Sequence, residues 1–326
     1  MYRNDSMEKL KTIFVLYKRD DWKDKLPLEQ SPETRMSFEE FYTLAAERSV
    51  RVYRASIDWY DEKSSSFTKA WTFENGKWRK IKRPPKPDAL FDKIAGKYDF
   101  ALFDKKMKMA EQSIFVNSPT FRALFDNKLN QYLVFEKWMP LSYLAENTAQ
   151  LAVTFKKIKS EKAVVKLLYG SGGKEVAIDT KTALLKKKFT FPVLVQSFVP
   201  TAGVPGFSPK KEVADLRLVF IDHKLVYALS RIAKRSSLFT NFHQGAKAVL
   251  VPNHKIPKSC LKMSKEIQSQ LSHFERTHYS LDFMFTTQGK PLFIEINTTP
   301  GFDLLRLVGP ETLRRKHAEA LLALFF

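Results

Sequence analysis

The chain of 326 residues has one cysteine, Cys260, so no internal disulfide can staple it and nothing points to an oxidising compartment. Long apolar runs are missing too. The stretch Ile13-Phe14-Val15-Leu16-Tyr17 is far too short to span a bilayer or form a signal-peptide core, and no small-residue cleavage site follows it. A cytoplasmic protein without a membrane partner is expected. Carboxylates are scarce, 35 Asp and Glu against 55 Lys and Arg, a formal charge of +20. Such a field attracts nucleotides, acidic peptides, nucleic acid or anionic membrane and does not by itself choose among them. The cations fall in short groups such as Lys105-Lys106 and Lys186-Lys187-Lys188, which read as solvated faces. Low-complexity segments and internal repeats are not apparent.

What is present is enough for two or three lobes with their own cores, at 44% hydrophobic residues. Strand and helix signals alternate at the start, with Thr12 to Tyr17, a helix from Ser37 and Val50 to Ala55, as in an open α/β sheet. Ser37 and Glu40 have the spacing of a capping box. Asn75-Gly76 predicts a hairpin over residues 70–82, and Pro84, Pro85 and Pro87 then forbid regular structure. Ser118-Pro119 opens a capped helix, and a second helical stretch follows Asn127. From Val193 the chain is strand-rich, and a last helix follows Pro310. Three domains are expected, at 1–118, 119–192 and 193–326, of α/β and α+β class.

Two apolar strands, Ser280 to Thr286 and Pro291 to Asn297, flank the turn residues Gln288-Gly289. If Thr287 faces Lys290, Asp282 lies opposite Glu295, and Asn297 follows two residues on. Opposed carboxylates with Cβ atoms roughly 5 Å apart repel unless a cation lies between them. A magnesium ion, which takes oxygen ligands and usually one or two protein carboxylates, fits this set. The alternative is an exposed sheet face paired with lysines.

Lys166 sits in the apolar strand Ala163 to Leu168, and a buried ammonium needs an anion. Gly170, Ser171, Gly172 and Gly173 follow, placing three of the chain's 11 glycines in four positions, where backbone can approach a phosphate closely. The loop is not a Walker A motif, since Glu175 follows Lys174. Arg217 and Arg231 lie on successive strands, predicted within about one residue of facing each other, and two facing arginines also call for an anion. Each arginine pairing with a surface carboxylate, Asp215 for Arg217, is the other reading. Asn241 and Gly245 add a donor and flexible backbone beyond Arg231.

Over roughly residues 115–305 this combination resembles the ATP-grasp superfamily, in the glutathione-synthetase-like branch that includes the ribosomal-protein glutamate ligase and amino-acid ligases. The matching pieces are Asn127-Lys128, Lys166 to Val176, Val195 to Val199, Asp215-Leu216-Arg217, Arg231, Asn241 with Gly245, Asp282 and Glu295 to Gly301. Parts of the first 118 residues are also similar to spore-coat-associated ATP-grasp proteins. The resemblance implies an N-terminal open α/β lobe plus two α+β lobes gripping ATP. It implies that Lys128 and Lys166 contact ATP, and that Gln196, Ser197, Phe198 and Val199 form the segment beside adenine. Gln196 stands where the family often has Glu. Asp282, Glu295 and Asn297 would hold Mg2+, while Arg217, Arg231 and Asn241 would face the transferred phosphate and acyl group.

The implied activity is ADP-forming ligation of a small-molecule or peptide carboxylate to an amine acceptor through an acylphosphate. The positive charge favours an acidic substrate or acceptor; nucleic acid is not an expected partner. Rival readings are a catalytically silent fold that binds nucleic acid or protein, and a kinase without the amine step. The apolar end Leu321 to Phe326 packs within its lobe or forms a homo-oligomer interface, and the first is favoured.

Overall fold

The computed structural model describes residues 11–96, 99–170, 176–235, 237–240 and 245–326. They fall into two compact units, and the chain visits the first one three times. Residues up to Ile94, Asp104–Val116 and Gly301–Phe326 make one unit; Ala95–Phe103 and Asn117–Pro300 make the other. The domain limits expected from sequence kept residues 301–326 in the C-terminal lobe, whereas here they cluster with the N-terminal segment. Among the described residues no helix is long and apolar enough to cross a membrane.

In the first unit β1 (Lys11–Tyr17) and β2 (Val50–Ser56) pair in parallel, joined by α1 (Pro32–Glu47). The short β3 (Tyr60–Asp61) and β4 (Ser66–Phe67) pair with each other. Next come β5 (Lys69–Glu74), β6 (Lys77–Lys82), β7 (Ala89–Asp92), α2 (Phe100–Ala110) and β8 (Ile114–Val116), giving the sheet order β6-β5-β2-β1-β7-β8. The β5–β6 hairpin forms where predicted. Asn75 and Gly76, at φ 51° and 72°, supply the two left-handed positions its two-residue turn requires.

α1 begins earlier than expected, with Pro32 in its first turn. Ser37 is therefore not a cap: its hydroxyl donates to the Glu33 carbonyl inside the helix, 2.9 Å away. The hydrophobic core of this unit is completed from the far end of the sequence. Phe302 packs on Phe38 (5.1 Å between ring centroids), Phe41 (5.9 Å) and Phe91 (6.2 Å), while Phe325 packs on Phe91 (5.9 Å). The apolar C-terminal residues Leu321, Leu322 and Phe325 are buried here.

The second unit holds two antiparallel sheets. After α3 (Pro119–Phe125) and α4 (Lys128–Phe135), the four-stranded one contains β9 (Ser142–Ala145), β10 (Lys162–Leu167), β11 (Val176–Thr180) and β12 (Val193–Ser197) in the order β11-β10-β12-β9. Helices α5 (Thr148–Lys157) and α6 (Lys181–Leu185) belong to this section. The six-stranded one contains β13 (Thr201–Ala202), β14 (Ala214–Ile221), β15 (Lys224–Ile232), β16 (Lys247–Val251), β17 (His278–Thr286) and β18 (Pro291–Asn297). Here α7 (Lys258–Leu271) interrupts a stretch that reads as strand-rich. The chain then leaves for the first unit through α8 (Asp303–Val308) and α9 (Glu311–Leu322). A core of Phe121, Phe125, Phe135, Leu216, Leu218, Leu281 and Phe283 fixes β14 and β17 against α3 and α4.

Candidate active site

Asp282 on β17 lies directly opposite Glu295 on β18, but the route to that register differs from the expected one. The turn is one residue longer, with the Thr286 N–H donating to the Lys290 carbonyl (2.9 Å), so Phe285 rather than Thr286 faces Pro291. A β-bulge restores the count: Phe283 pairs with Phe293 and Asp282 with Glu295, leaving Ile294 as the extra residue. In a regular strand Ile294 and Glu295 would point to opposite faces. With the bulge, both line the same cleft together with Leu292. An apolar floor and a carboxylate thus share one wall.

The cation that the opposed carboxylates call for is supplied by the protein. Arg217 on β14 is the neighbour of Asp282 on its other side, donating from Nε to Oδ1 (2.8 Å) and from Nη2 to Oδ2 (2.6 Å). Arg231 on β15 donates from Nη2 to the same Oδ2 (2.7 Å). It does not face Arg217, because Arg217 pairs with Leu229 and Arg231 pairs with Asp215. The expected pair of facing arginines is therefore offset by two positions. Arg231 also donates to Asp215 Oδ2 (2.6 Å), which accepts from Thr240 Oγ1 as well (2.6 Å). Burial, the largest cause, together with the Asp282 charge leaves the Asp215 carboxyl raised although Arg231 and Thr240 lower it. Burial acts upward on Asp282 too, but Arg217 and Arg231 together outweigh it and hold Asp282 below the usual carboxylate range.

The cleft, about 1090 Å³ counting space open to solvent, takes residues from both sheets of this unit. From the four-stranded sheet come Lys166 and Gln196, with Lys128 from the start of α4; from the other come Asp215, Arg231, Asp282 and Glu295. Ser197, Phe198 and Val199 line it where the chain leaves β12 for β13, and Ile178, Met284 and Leu292 supply apolar surface. Among the described residues Arg217 and Asn297 are not in the lining. Ser171, Gly172, Gly173 and Asn241 lie outside the described residues. Gly170 lines the cleft at φ 120°, a conformation closed to other residues, and its carbonyl accepts from Lys128 Nζ at 2.6 Å. The Lys128 N–H donates to the Leu168 carbonyl (2.8 Å) and the Asn127 amide to the Tyr169 hydroxyl (3.1 Å), so α4 anchors the entry to the glycine loop.

Lys166 is 8% exposed and donates from Nζ to Gln196 Oε1 at 3.0 Å. Gln196 spends its Nε2 on Ser142 Oγ (3.0 Å), so its amide holds the lysine. An uncharged partner leaves the ammonium uncompensated. Burial brings Lys166 down to about 8, with the Glu295 charge opposing the shift and that of Lys128 adding to it. An anion in the cleft binds the charged lysine, so its affinity is expected to hold below pH 8 and to fall as pH rises through about 8, by up to about tenfold per unit. The free protein should gain stability between about pH 8 and 10.4, where the unfolded chain holds the extra proton. Titration of ATP binding against pH checks this, since Lys166→Met should lose the break.

Sequence reasoning missed the group that fixes the end of β18. Gln131 on α4 accepts from the Ile296 N–H (3.0 Å) and donates to the Ile296 carbonyl (3.1 Å), filling the strand edge between Glu295 and Asn297. A buried helix glutamine carries no pattern that announces this. Gln131→Leu should cost about 1–3 kcal/mol by leaving both Ile296 groups unpaired. A urea denaturation midpoint unchanged from wild type would refute the bracing role. Asp215, read from sequence as a surface partner for Arg217, is buried and bonded to Arg231 instead, and Arg217 takes Asp282.

Three oxygen donors are available to a hard cation. Asp282 Oδ1 accepts one bond, Glu295 has no hydrogen bond or ion pair with a described residue, and Asn297 Oδ1 accepts one from the Thr299 N–H (2.9 Å). Two carboxylates and an amide match the donor preference of magnesium, with Asp282 shared between the ion and its arginines.

Residues 129–311 match the RimK-like ATP-grasp domain. A probable alpha-L-glutamate ligase of Legionella pneumophila is 27% identical over 171 residues, 51% of each chain, so the chain spans about half the length of the curated relatives it matches. Solved structures of similar fold cover nearly all of it. A Chryseobacterium gregarium RiPP-associated ATP-grasp ligase, in complex with ADP and a leader and core peptide, has a TM-score of 0.59 at 15% identity, covering 97% of this chain and 96% of that one. D-alanyl-alanine synthetase A from Vibrio cholerae has a TM-score of 0.59 at 12% identity, covering 97% and 99%.

Proposed function

Because the chain belongs to the RimK-like ATP-grasp family, we propose that it is an ADP-forming carboxylate–amine ligase whose ATP lies in the cleft between Lys166 and Glu295. One observation carries the reading. A single cleft gathers two lysines, an apolar wall and Arg231 with Asp215 and Asp282 beside Glu295, with Arg217 bonded to Asp282 outside the lining. That is the inventory phosphoryl transfer needs, since it depends on positioning and on spreading negative charge over cations.

In the first step a substrate carboxylate oxygen bonds to the γ-phosphorus of ATP and the bond to the β-phosphate oxygen breaks, giving an acylphosphate and ADP. An amine then attacks the acyl carbon, phosphate leaves, and the amine gives up its proton as the amide forms. Lys128 and Lys166 bind the phosphates, and Gln196 orients Lys166. Arg231, tied to Asp215 and Asp282, presents a fixed charge to the transferred group, and Asn241 assists at the acyl oxygen. Arg217 locks Asp282. Asp282, Glu295 and Asn297 would hold Mg2+, which when bound neutralises phosphate charge. The three-domain division and a carboxylate substrate of small-molecule or peptide type belong to the same proposal.

The test is magnesium-dependent ADP release, screened with pools of amino acids and small carboxylic acids. Release that requires one acid and one amine establishes the ligase. Release with no amine and a stable phosphorylated product would make it a kinase, and tight ATP binding with no release under any pool would leave a silent fold.

A further inference from the structure

We propose that β6, the edge strand of the N-terminal sheet, is a docking strip for an extended acidic segment of a partner protein. The inference concerns binding alone and does not rest on the ligase reading.

Six of the ten residues from Lys77 to Lys86 are cationic and none is acidic. All six side chains, Lys77, Arg79, Lys80, Lys82, Arg83 and Lys86, are exposed. Among the described residues β6 pairs only with β5, and its outer edge ends the sheet. The carboxylates nearest in sequence are engaged: Glu74 lies opposite Lys77 and is bonded to Arg51 at 3.2 Å, and Asp88, two residues past Lys86, accepts from the Thr12 N–H (2.8 Å) and hydroxyl (2.9 Å). Lys82 stands directly opposite Lys69, which is paired with Asp20 at 3.6 Å, so Lys82 faces a cation and has no carboxylate of its own. Among the described residues Lys77, Arg79, Lys82, Arg83 and Lys86 have no ion pair.

A lysine or two is enough to keep an edge strand from aggregating. Six cations with no carboxylate among them exceed that need, and they accompany a row of backbone donors and acceptors. β8 is largely buried, and Gln131 closes the end of β18. A peptide adds to a free edge through its own backbone while alternate side chains meet the flanking charges. Acidic residues at those alternate positions complement the strip.

Single-stranded nucleic acid would instead need open aromatic faces on which bases stack. Here Trp59 and Trp71 are buried, and Lys69 and Lys80 lie over the Trp22 ring at 5.3 and 5.5 Å. The arrangement favours a peptide.

The experiment is fluorescence anisotropy of a labelled peptide of alternating Glu and Val with the full chain, without nucleotide, at low and physiological salt. Binding should weaken about tenfold or more in Arg79→Glu/Lys82→Glu. It should be nearly unchanged in Lys262→Glu/Lys265→Glu, which alters the total charge equally at exposed positions of α7. The same peptide N-methylated at alternate residues should also lose binding. Equal losses in the two double variants, or full binding of the N-methylated peptide, would reduce the strip to non-specific electrostatics. An oligonucleotide of equal charge that binds more tightly and responds to the same β6 variant would overturn the proposal in favour of RNA. ADP release is measured separately, so a failure here and a failure of the ligase reading are told apart.

Discussion

Asp282→Ala is expected to lower stability by about 3–5 kcal/mol, the cost of removing one partner from a buried ion cluster. Asp282 is 2% exposed and joins Arg217 (9%) to Arg231 (7%). Without it, Arg217 loses both of its bonds to Asp282 and Arg231 keeps only Asp215 and the surrounding polar contacts. Urea denaturation should show the drop with an unchanged slope, and ATP turnover should disappear. A loss below about 1 kcal/mol would mean that the arginines find other partners. Replacing the pair together, as in Arg217→Met/Asp282→Leu, should recover part of the stability, because well-packed apolar residues replace buried ion pairs at little cost. It should recover none of the turnover.

Glu295→Gln is expected to behave in the opposite way, with turnover falling about a hundredfold or more while stability stays within about 0.5 kcal/mol. Glu295 is only half-buried and carries no ion pair with a described residue, so folding does not lean on its charge. Its removal also relieves the repulsion with Asp282 across the strand pair. A second readout separates this from a general defect. Because the Glu295 charge opposes the burial of Lys166, the break in ATP affinity should move below about pH 8 in the variant. Turnover within a few fold of wild type would remove Glu295 from the proposed magnesium set.

The features that sequence made legible are those governed by local periodicity. The hairpin around Asn75-Gly76, the cap at Ser118, whose hydroxyl accepts from the Phe121 N–H, and the strand that carries Lys166 follow from turn chemistry and apolar patterning. The opposition of Asp282 and Glu295 was also reached, but a longer turn and a bulge offset one another to produce it. Adding residue numbers cannot see a bulge. Arg231 was misplaced by its turn instead: Ile221 pairs with Lys224 across Asp222-His223, which carries Arg231 past Arg217 to Asp215, and the register shift between Val219 and Phe220 only brings the two arginines one residue nearer. Ser37 misled because its capping spacing is equally compatible with a mid-helix hydroxyl bonded one turn back. Gln131 and Thr240 act across long sequence distances, 165 residues in the first case and 25 in the second, and nothing local marks them.

The threefold passage of the chain through its first unit fixes an order of events during synthesis. β1, α1 and β2 leave the ribosome early, yet the rings that fill their core, Phe302 and Phe325, are made last. Asn117–Pro300, by contrast, is nearly contiguous and has its interior residues in hand before the final helix is translated. Vectorial folding therefore runs against the numbering: the segment that emerges first must wait with Phe38, Phe41 and Phe91 uncovered, the kind of exposure that chaperones attend to. A ribosome stalled before Gly301 would carry a nascent chain whose nucleotide cleft could already be assembled while its N-terminal sheet still lacked the other half of its core.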